Sequence, residues 1–160
     1  MMYNQGRLNR LMKIYMDNCC YNRIFDDRSI IKNYLEREAV LIIFQKIGQG
    51  EMELVGSDVL KIEMSNASAG DRKQSIQKIY NVSVSSEVRI TETIKARAME
   101  IQKISNIKAF DSLHLASAEN NADVLLTTDQ KFLNAARRIA NLSIRVENPI
   151  AFVMEVISND

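Results

Sequence analysis

Two aspartates, Asp17 and Asp129, stand where short β-prone runs give out, and acids gathered at strand ends are raw material for a divalent-metal site. Magnesium and manganese prefer hard oxygen donors, and carboxylates supply them. Phosphodiester hydrolysis needs a nucleophilic water, neutralisation of the phosphate charge and stabilisation of a leaving alkoxide, which one or two such ions provide together. Two more acids lie on helical segments. Glu63 sits among Leu60, Ile62 and Met64, where a mostly buried carboxylate needs a partner or a metal. Asp111 falls in the first turn of its helix. Each acid also has a plain structural reading: Asp129 as an N-cap before Phe132 and Leu133, Asp17 as a turn former, Asp111 as a charge on the helix dipole, and Glu63 as a surface glutamate.

The sequence holds 1 histidine, His114, three residues after Asp111 and read as a packed or hydrogen-bonded ring. A zinc site of three histidines and an acid–base pair of two histidines are thereby disfavoured. Cys19 and Cys20 are adjacent, a spacing unlike a zinc motif or a long-range disulfide, and read as reduced, buried thiols. Arg137, Arg138, Lys131, Arg72 and Lys73 can serve as phosphate contacts or as a solvated surface.

Elements that would carry these residues follow from the apolar pattern. Residues 13–16 form a strand ending at Asp17, followed by a polar stretch to Ser29. A helix then runs from Ile30 to Ile47, with Gly48 and Gly50 as its stop. A second strand covers 53–56, Ser57 caps a helix carrying Glu63, and another helix spans 71–80. Further strands are expected at 81–84, 122–127 and 143–146. Ser86 is expected to cap a helix through Ile90, Ile94, Ala98 and Ile101, with later helices at 110–119 and after Phe132. Asn148-Pro149 opens a final helix to about Ile157. This alternation implies a three-layer α/β/α fold with a mostly parallel central sheet. Ligands of such sheets sit beyond the carboxyl ends of the strands, so Asp17 and Asp129 face one rim.

Length and composition suit one domain. The 160 residues are 46% hydrophobic and 26% charged, with 1 proline and 5 glycines, the balance of a chain that builds its own core. The formal charge of +1 excludes a strongly basic protein, so any nucleic acid must meet a local patch. No apolar run is long enough for a membrane span, and the polar start lacks a signal-peptide core, which points to a cytoplasmic protein. Residues 1–11 lack apolar periodicity and are read as a disordered leader, with residues 12–157 as the domain.

Four segments carry a resemblance. IYMDNCCYNR at 14–23, LKIEMS at 60–65, IKAFDSLHLASAE at 107–119 and LLTTDQKFL at 125–133 resemble, in order, the acidic motifs of PIN-domain nucleases. Asn148-Pro149 and Phe152 are similar to the family's closing segment, so the resemblance spans about 13–152. It implies that Asp17, Glu63, Asp111 and Asp129 hold Mg2+ or Mn2+ in an endoribonuclease that cuts RNA, with Asn18 and Thr128 as supporting polar contacts. A VapC-like toxin, held by an antitoxin and forming a homodimer, is the implied setting. One departure stands at Asn18-Cys19-Cys20, where many relatives carry a serine or threonine after the first acid. A non-catalytic module that binds RNA or protein is the alternative. A haloacid-dehalogenase phosphatase would want an aspartate at position 19, and a receiver domain would want paired acids after the first strand.

Overall fold

The computed structural model describes residues 10–159. Apolar runs become strands where helices can cover them on both faces. β1 (Met12–Met16), β2 (Met52–Ser57), β3 (Val84–Val88), β4 (Val124–Leu126) and β5 (Arg145–Glu147) form one sheet in the order β3-β2-β1-β4-β5, and all four pairings are parallel. The innermost strands are the most apolar. Ile14, Tyr15 and Met16 of β1 and Leu125 and Leu126 of β4 have no exposed surface, as expected of strands buried on both faces.

Parallel neighbours require crossovers, and helices supply them. α1 (Asn18–Arg23) and α2 (Ile31–Gly48) join β1 to β2, while α3 (Asp58–Asn66) and α4 (Asp71–Ser83) join β2 to β3. α5 (Glu92–Ile104) and α6 (Ala109–Ala118) lead to β4, α7 (Gln130–Arg137) leads to β5, and α8 (Pro149–Ser158) closes the chain. The three-layer architecture is therefore the one the alternation implied. Chain order departs from β1 in both directions, to β2 on one side and β4 on the other. The carboxyl ends of β1 and β4 thus flank the switch point where such sheets open a crevice.

Local chemistry fixes most boundaries. Ser57 accepts from Leu60 N, Thr91 from Ile94 N and Asn148 from Ile150 N, with Pro149 in the first turn after it. Gly50, at φ 75, takes the left-handed turn after α2. α6 is tied at its far end by Glu119, whose carboxylate takes two bonds of 2.9 Å from Arg97 of α5 and one from Ser143 N.

Three expectations need correction. The polar stretch after Asp17 contains α1, whose Cys20 and Tyr21 are buried; its helical turn is short and too polar to show periodicity. The strand expected at 81–84 belongs mostly to α4, which continues to Ser83. Ser86 is inside β3 rather than a cap, because β2 offers a ladder from Leu54↔Val84 to Ser57↔Val88. β3 is an edge strand whose sequence, VSSEV, has little apolar alternation, so pairing decides it. The leader reading falls mainly on residues outside the described range, although Arg10 is described and pairs with Asp123 at 2.7 Å.

Candidate active site

Asp17 follows the last residue of β1 and extends the sheet, its N–H donating to Leu126 O at 2.9 Å. It also caps α1, because its Oδ1 accepts from Asn18 N at 2.7 Å. Thr127 Oγ1 donates to Oδ2 at 3.0 Å, and Cys19 Sγ reaches the same oxygen at 3.3 Å. The carboxylate is nonetheless buried, and burial raises its pKa above the ordinary value, with Glu63 adding to the rise and His114 opposing it. The PIN-like pattern departs at Asn18-Cys19-Cys20, and there the thiol of Cys19 and the hydroxyl of Thr127 both serve Asp17.

α3 and α6 cross above this rim, each contributing one group. Glu63 of α3 is hydrogen-bonded to His114 Nε2 of α6, and Asp17 Oδ1 lies 3.7 Å from the same nitrogen. One ligand atom from each of Asp17, Glu63 and His114 lies within 4.8 Å of the others. His114 Nδ1 lies 2.6 Å from the Tyr15 hydroxyl, which lies 2.7 Å from Ser57 Oγ, so a fully buried polar chain leads from the rim to the α3 cap. Burial works against a charged imidazole here, yet the hydrogen bond to Glu63 and the charges of Asp17, Glu63 and Asp111 lift the His114 pKa. A protonated ring donates from both nitrogens, to Tyr15 and to Glu63, and so balances part of the acidic charge.

Asp111 and Asp129 stand outside that tight triad but within its field. The Asp111 carboxyl is pushed up to about 6, first by burial and then by Asp17, Asp129 and Glu63, with His114 opposing. Asp129 is the N-cap of α7, its Oδ1 accepting from Phe132 N at 3.1 Å, and its own N–H donates to Thr127 Oγ1 at 3.1 Å. Thr127 thus links the first acid to the loop of the last. Asn18 contributes its backbone N–H, while its side chain turns to Asn22. Thr128 also acts through its backbone, with its N–H toward Cys19 Sγ at 3.3 Å and its carbonyl accepting from Lys32.

The donor set fits a divalent cation. Its donors are hard carboxylate oxygens, with the His114 ring hydrogen-bonded beside them. Two of its acids are held above their ordinary pKa by burial and mutual repulsion, which a bound cation would relieve.

A family model for the PIN domain matches residues 24–138, a stretch that includes Glu63, Asp111 and Asp129. The chain belongs to the PIN-domain family. Asp17 precedes the matched residues, so its place in the site rests on the geometry above. Among solved structures, the chain resembles VapBC2 from Rickettsia felis, crystallised with a DNA fragment from its promoter. The identity is 19%, the match covers 86% of this chain and 98% of that one, and the TM-score is 0.55. FitAcB from Neisseria gonorrhoeae is similar at 18% identity, 85% and 97% coverage and a TM-score of 0.55. These two likenesses speak to the fold. No curated protein matches the sequence.

Of the four acids named from the sequence, the structure brings Asp17 and Glu63 together and leaves Asp111 and Asp129 beside them, while Thr127 and the pairing of Glu63 with His114 were not anticipated. For Thr127 the signal was the Thr127-Thr128 doublet, whose facing depends on where β4 stops. For His114 it was the spacing from Asp111, which places both on adjacent parts of one helical face.

Proposed function

We propose that this PIN-domain protein is a metal-dependent endoribonuclease in which Asp17, Glu63, Asp111 and Asp129 hold Mg2+ or Mn2+ or orient the attacking water. The observation that carries this reading is the buried Asp17–Glu63–His114 triad beside Asp111 at the carboxyl-end rim of the sheet. A bound ion would supply a water activated at neutral pH and a counter-charge for the phosphate. The protein's own groups do the rest. Asp17, fixed by Asn18 N, Thr127 and Cys19, is the rigid ligand at the floor. Glu63 is held by His114, which Tyr15 and Ser57 keep from turning. Asp111 is partly exposed beside the triad, so it is placed to hold the attacking water at the open side of the site.

Likeness in fold to VapBC2 and FitAcB supports a toxin role with an antitoxin protein as partner, and a homodimer acting in the cytoplasm completes the proposal. Among the described residues no helix is long and apolar enough to cross a membrane. Two contacts favour a second reading, a non-catalytic RNA-binding or protein-interaction module: Asp129 is satisfied as a helix cap, and Glu63 is satisfied by His114.

Cleavage of a mixed single-stranded RNA separates the two readings. Cuts that need Mn2+, stop with EDTA and vanish in folded Asp17→Asn and Asp111→Asn proteins support the nuclease. No cleavage by parent protein freed of any antitoxin favours the module.

A further inference from the structure

The cations that the sequence marked as phosphate contacts divide into two groups. Arg72 is engaged by Asp26 and Asn22 O, Lys73 by Ser65 O, and Arg137 by Glu147 and Val146 O. The side chains of Lys131 and Arg138 have no hydrogen-bond or ion-pair partner among the described residues, and neither do those of Lys103 and Lys108; all four residues are exposed. Elsewhere most cations are paired, as in Arg10–Asp123, Arg23–Glu36, Arg97–Glu119 and Arg145–Glu155. The side chains of Lys13, Arg28, Lys78 and Arg89 are unpaired as well, at other places on the fold; what sets Lys103 and Arg138 apart is that they meet. Lys103 and Arg138 line a cleft of about 410 Å3 together with Ile104, Ser105, Asn106 and Ala135, between the turn that joins α5 to α6 and the outer face of α7.

Both walls of this cleft run to the acids. On α7, positions 131, 135 and 138 follow the i, i+4, i+7 spacing of one face, which leads from Arg138 back to Lys131 and then to the cap residue Asp129. On the opposite wall, the turn through Ser105 and Asn106 continues to Lys108, the N-cap of α6, and within that helix's first turn to Asp111. Asp129 N–H shares Thr127 Oγ1 with Asp17, and Asp111 lies one turn before His114 on α6, so both walls lead to the triad. Phe110, 38% exposed, stands beside Asp111, and Ile104, 55% exposed, lies inside the cleft. Unpaired cations along a groove, with exposed apolar and aromatic side chains between them, are what a single strand needs: charge for its phosphates and flat surfaces for its bases.

We propose that this cleft is a binding subsite for the backbone of single-stranded RNA on one side of the cut, with Lys103, Lys131 and Arg138 as its phosphate contacts. The proposal rests on the nuclease reading for its substrate class. It adds a direction: the strand enters over α7 and reaches the acids between Phe110 and Asp129.

The test is fluorescence anisotropy of a labelled single-stranded RNA of about a dozen nucleotides, titrated with Asp17→Asn protein across a salt series. The comparison is between two triple variants in that background. One carries Lys103→Gln, Lys131→Gln and Arg138→Gln; the other carries Lys13→Gln, Lys46→Gln and Lys78→Gln, toward the rim where the strands begin. Each phosphate contact on a single strand contributes roughly 0.7 to the slope of log affinity against log salt. The cleft triple should therefore lower the slope by about 2 and weaken binding at least tenfold near 0.1 M salt. The control triple should change affinity by less than about threefold. Equal losses in both triples, an unaltered cleft triple, or no RNA binding by the parent would overturn the proposal. Mn2+ binding to the wild-type acids, measured by calorimetry alongside, keeps the two ideas apart. RNA binding that depends on the cleft in a protein that takes up no Mn2+ would uphold the subsite and sink the catalytic reading.

Discussion

Asp111→Asn should stabilise the metal-free protein, and the size of the gain should depend on pH. The carboxyl of Asp111 rises from 3.8 to about 6 because it is largely buried and shares its surroundings with Asp17, Asp129 and Glu63. The folded state therefore binds this proton more tightly than the unfolded state. Stability falls as pH rises through the window from 3.8 to 6 and stays lowered above it. The full shift would correspond to about 3 kcal/mol, but the group is partly exposed, and solvent screening reduces this to about 1–2 kcal/mol. For a domain of this size that is a rise in Tm of roughly 2–8 °C for Asp111→Asn at pH 8 in EDTA. Differential scanning calorimetry of both proteins from pH 4 to pH 8 reads the effect. The two melting temperatures should converge toward pH 4, and Mn2+ should raise the wild type more than the variant. A variant that melts below the wild type at pH 8, or a difference that ignores pH, would refute the reasoning.

Other perturbations test the supports of the site. Thr127→Val removes the hydroxyl shared by Asp17 and the Asp129 N–H, and should cost about 10–100-fold in Mn2+ affinity, read by calorimetry, with little change in fold. Glu36 is completely buried, taking Arg23 and Lys32 at 3.1 Å and Asn148 at 2.6 Å, while Lys32 also holds the Thr128 carbonyl. Glu36→Ala should therefore destabilise by about 1–3 kcal/mol in urea unfolding, since the Asn148 amide and one side of the Arg23 guanidinium lose their acceptor while Arg23 keeps Asp26. Gly56 lies under the ring of Tyr80, and a Cβ there would come within 2.1 Å of the phenol oxygen. Gly56→Ala should cost about 1–3 kcal/mol by the same assay.

What the sequence could reveal follows from the range of the interactions involved. Asp17 and Asp129 were readable because strand ends are local features and a parallel sheet sends all such ends to one rim. The caps at Ser57 and Asn148 were readable for the same reason, since each cap bonds an N–H two or three residues on. The sequence was silent where distant segments decide. VSSEV becomes a strand only because β2 presents a free edge, and NCCYNR becomes a helix because Asp17 caps it and Tyr21 finds the core. The Glu63–His114 pair depends on how α3 crosses α6, over a separation of 51 residues. Which of two adjacent threonines meets Asp17 depends on the register of β4 against β1, where Met16 pairs with Leu126. Cys19 was read as a buried thiol, whereas it is only half-buried and its sulfur touches both Asp17 and Thr128 N.

Asp17, Glu63, Asp111 and Asp129 are proposed to share a divalent ion that serves cleavage. The most direct measurement is anomalous scattering from crystals of the protein grown with Mn2+. The expected result is a peak bonded to Asp17 and at least one of Glu63, Asp111 and Asp129, absent from Asp17→Asn crystals prepared identically. A protein that cleaves RNA in Mn2+ yet shows no peak at these carboxylates, or binds its ion elsewhere, would contradict the account.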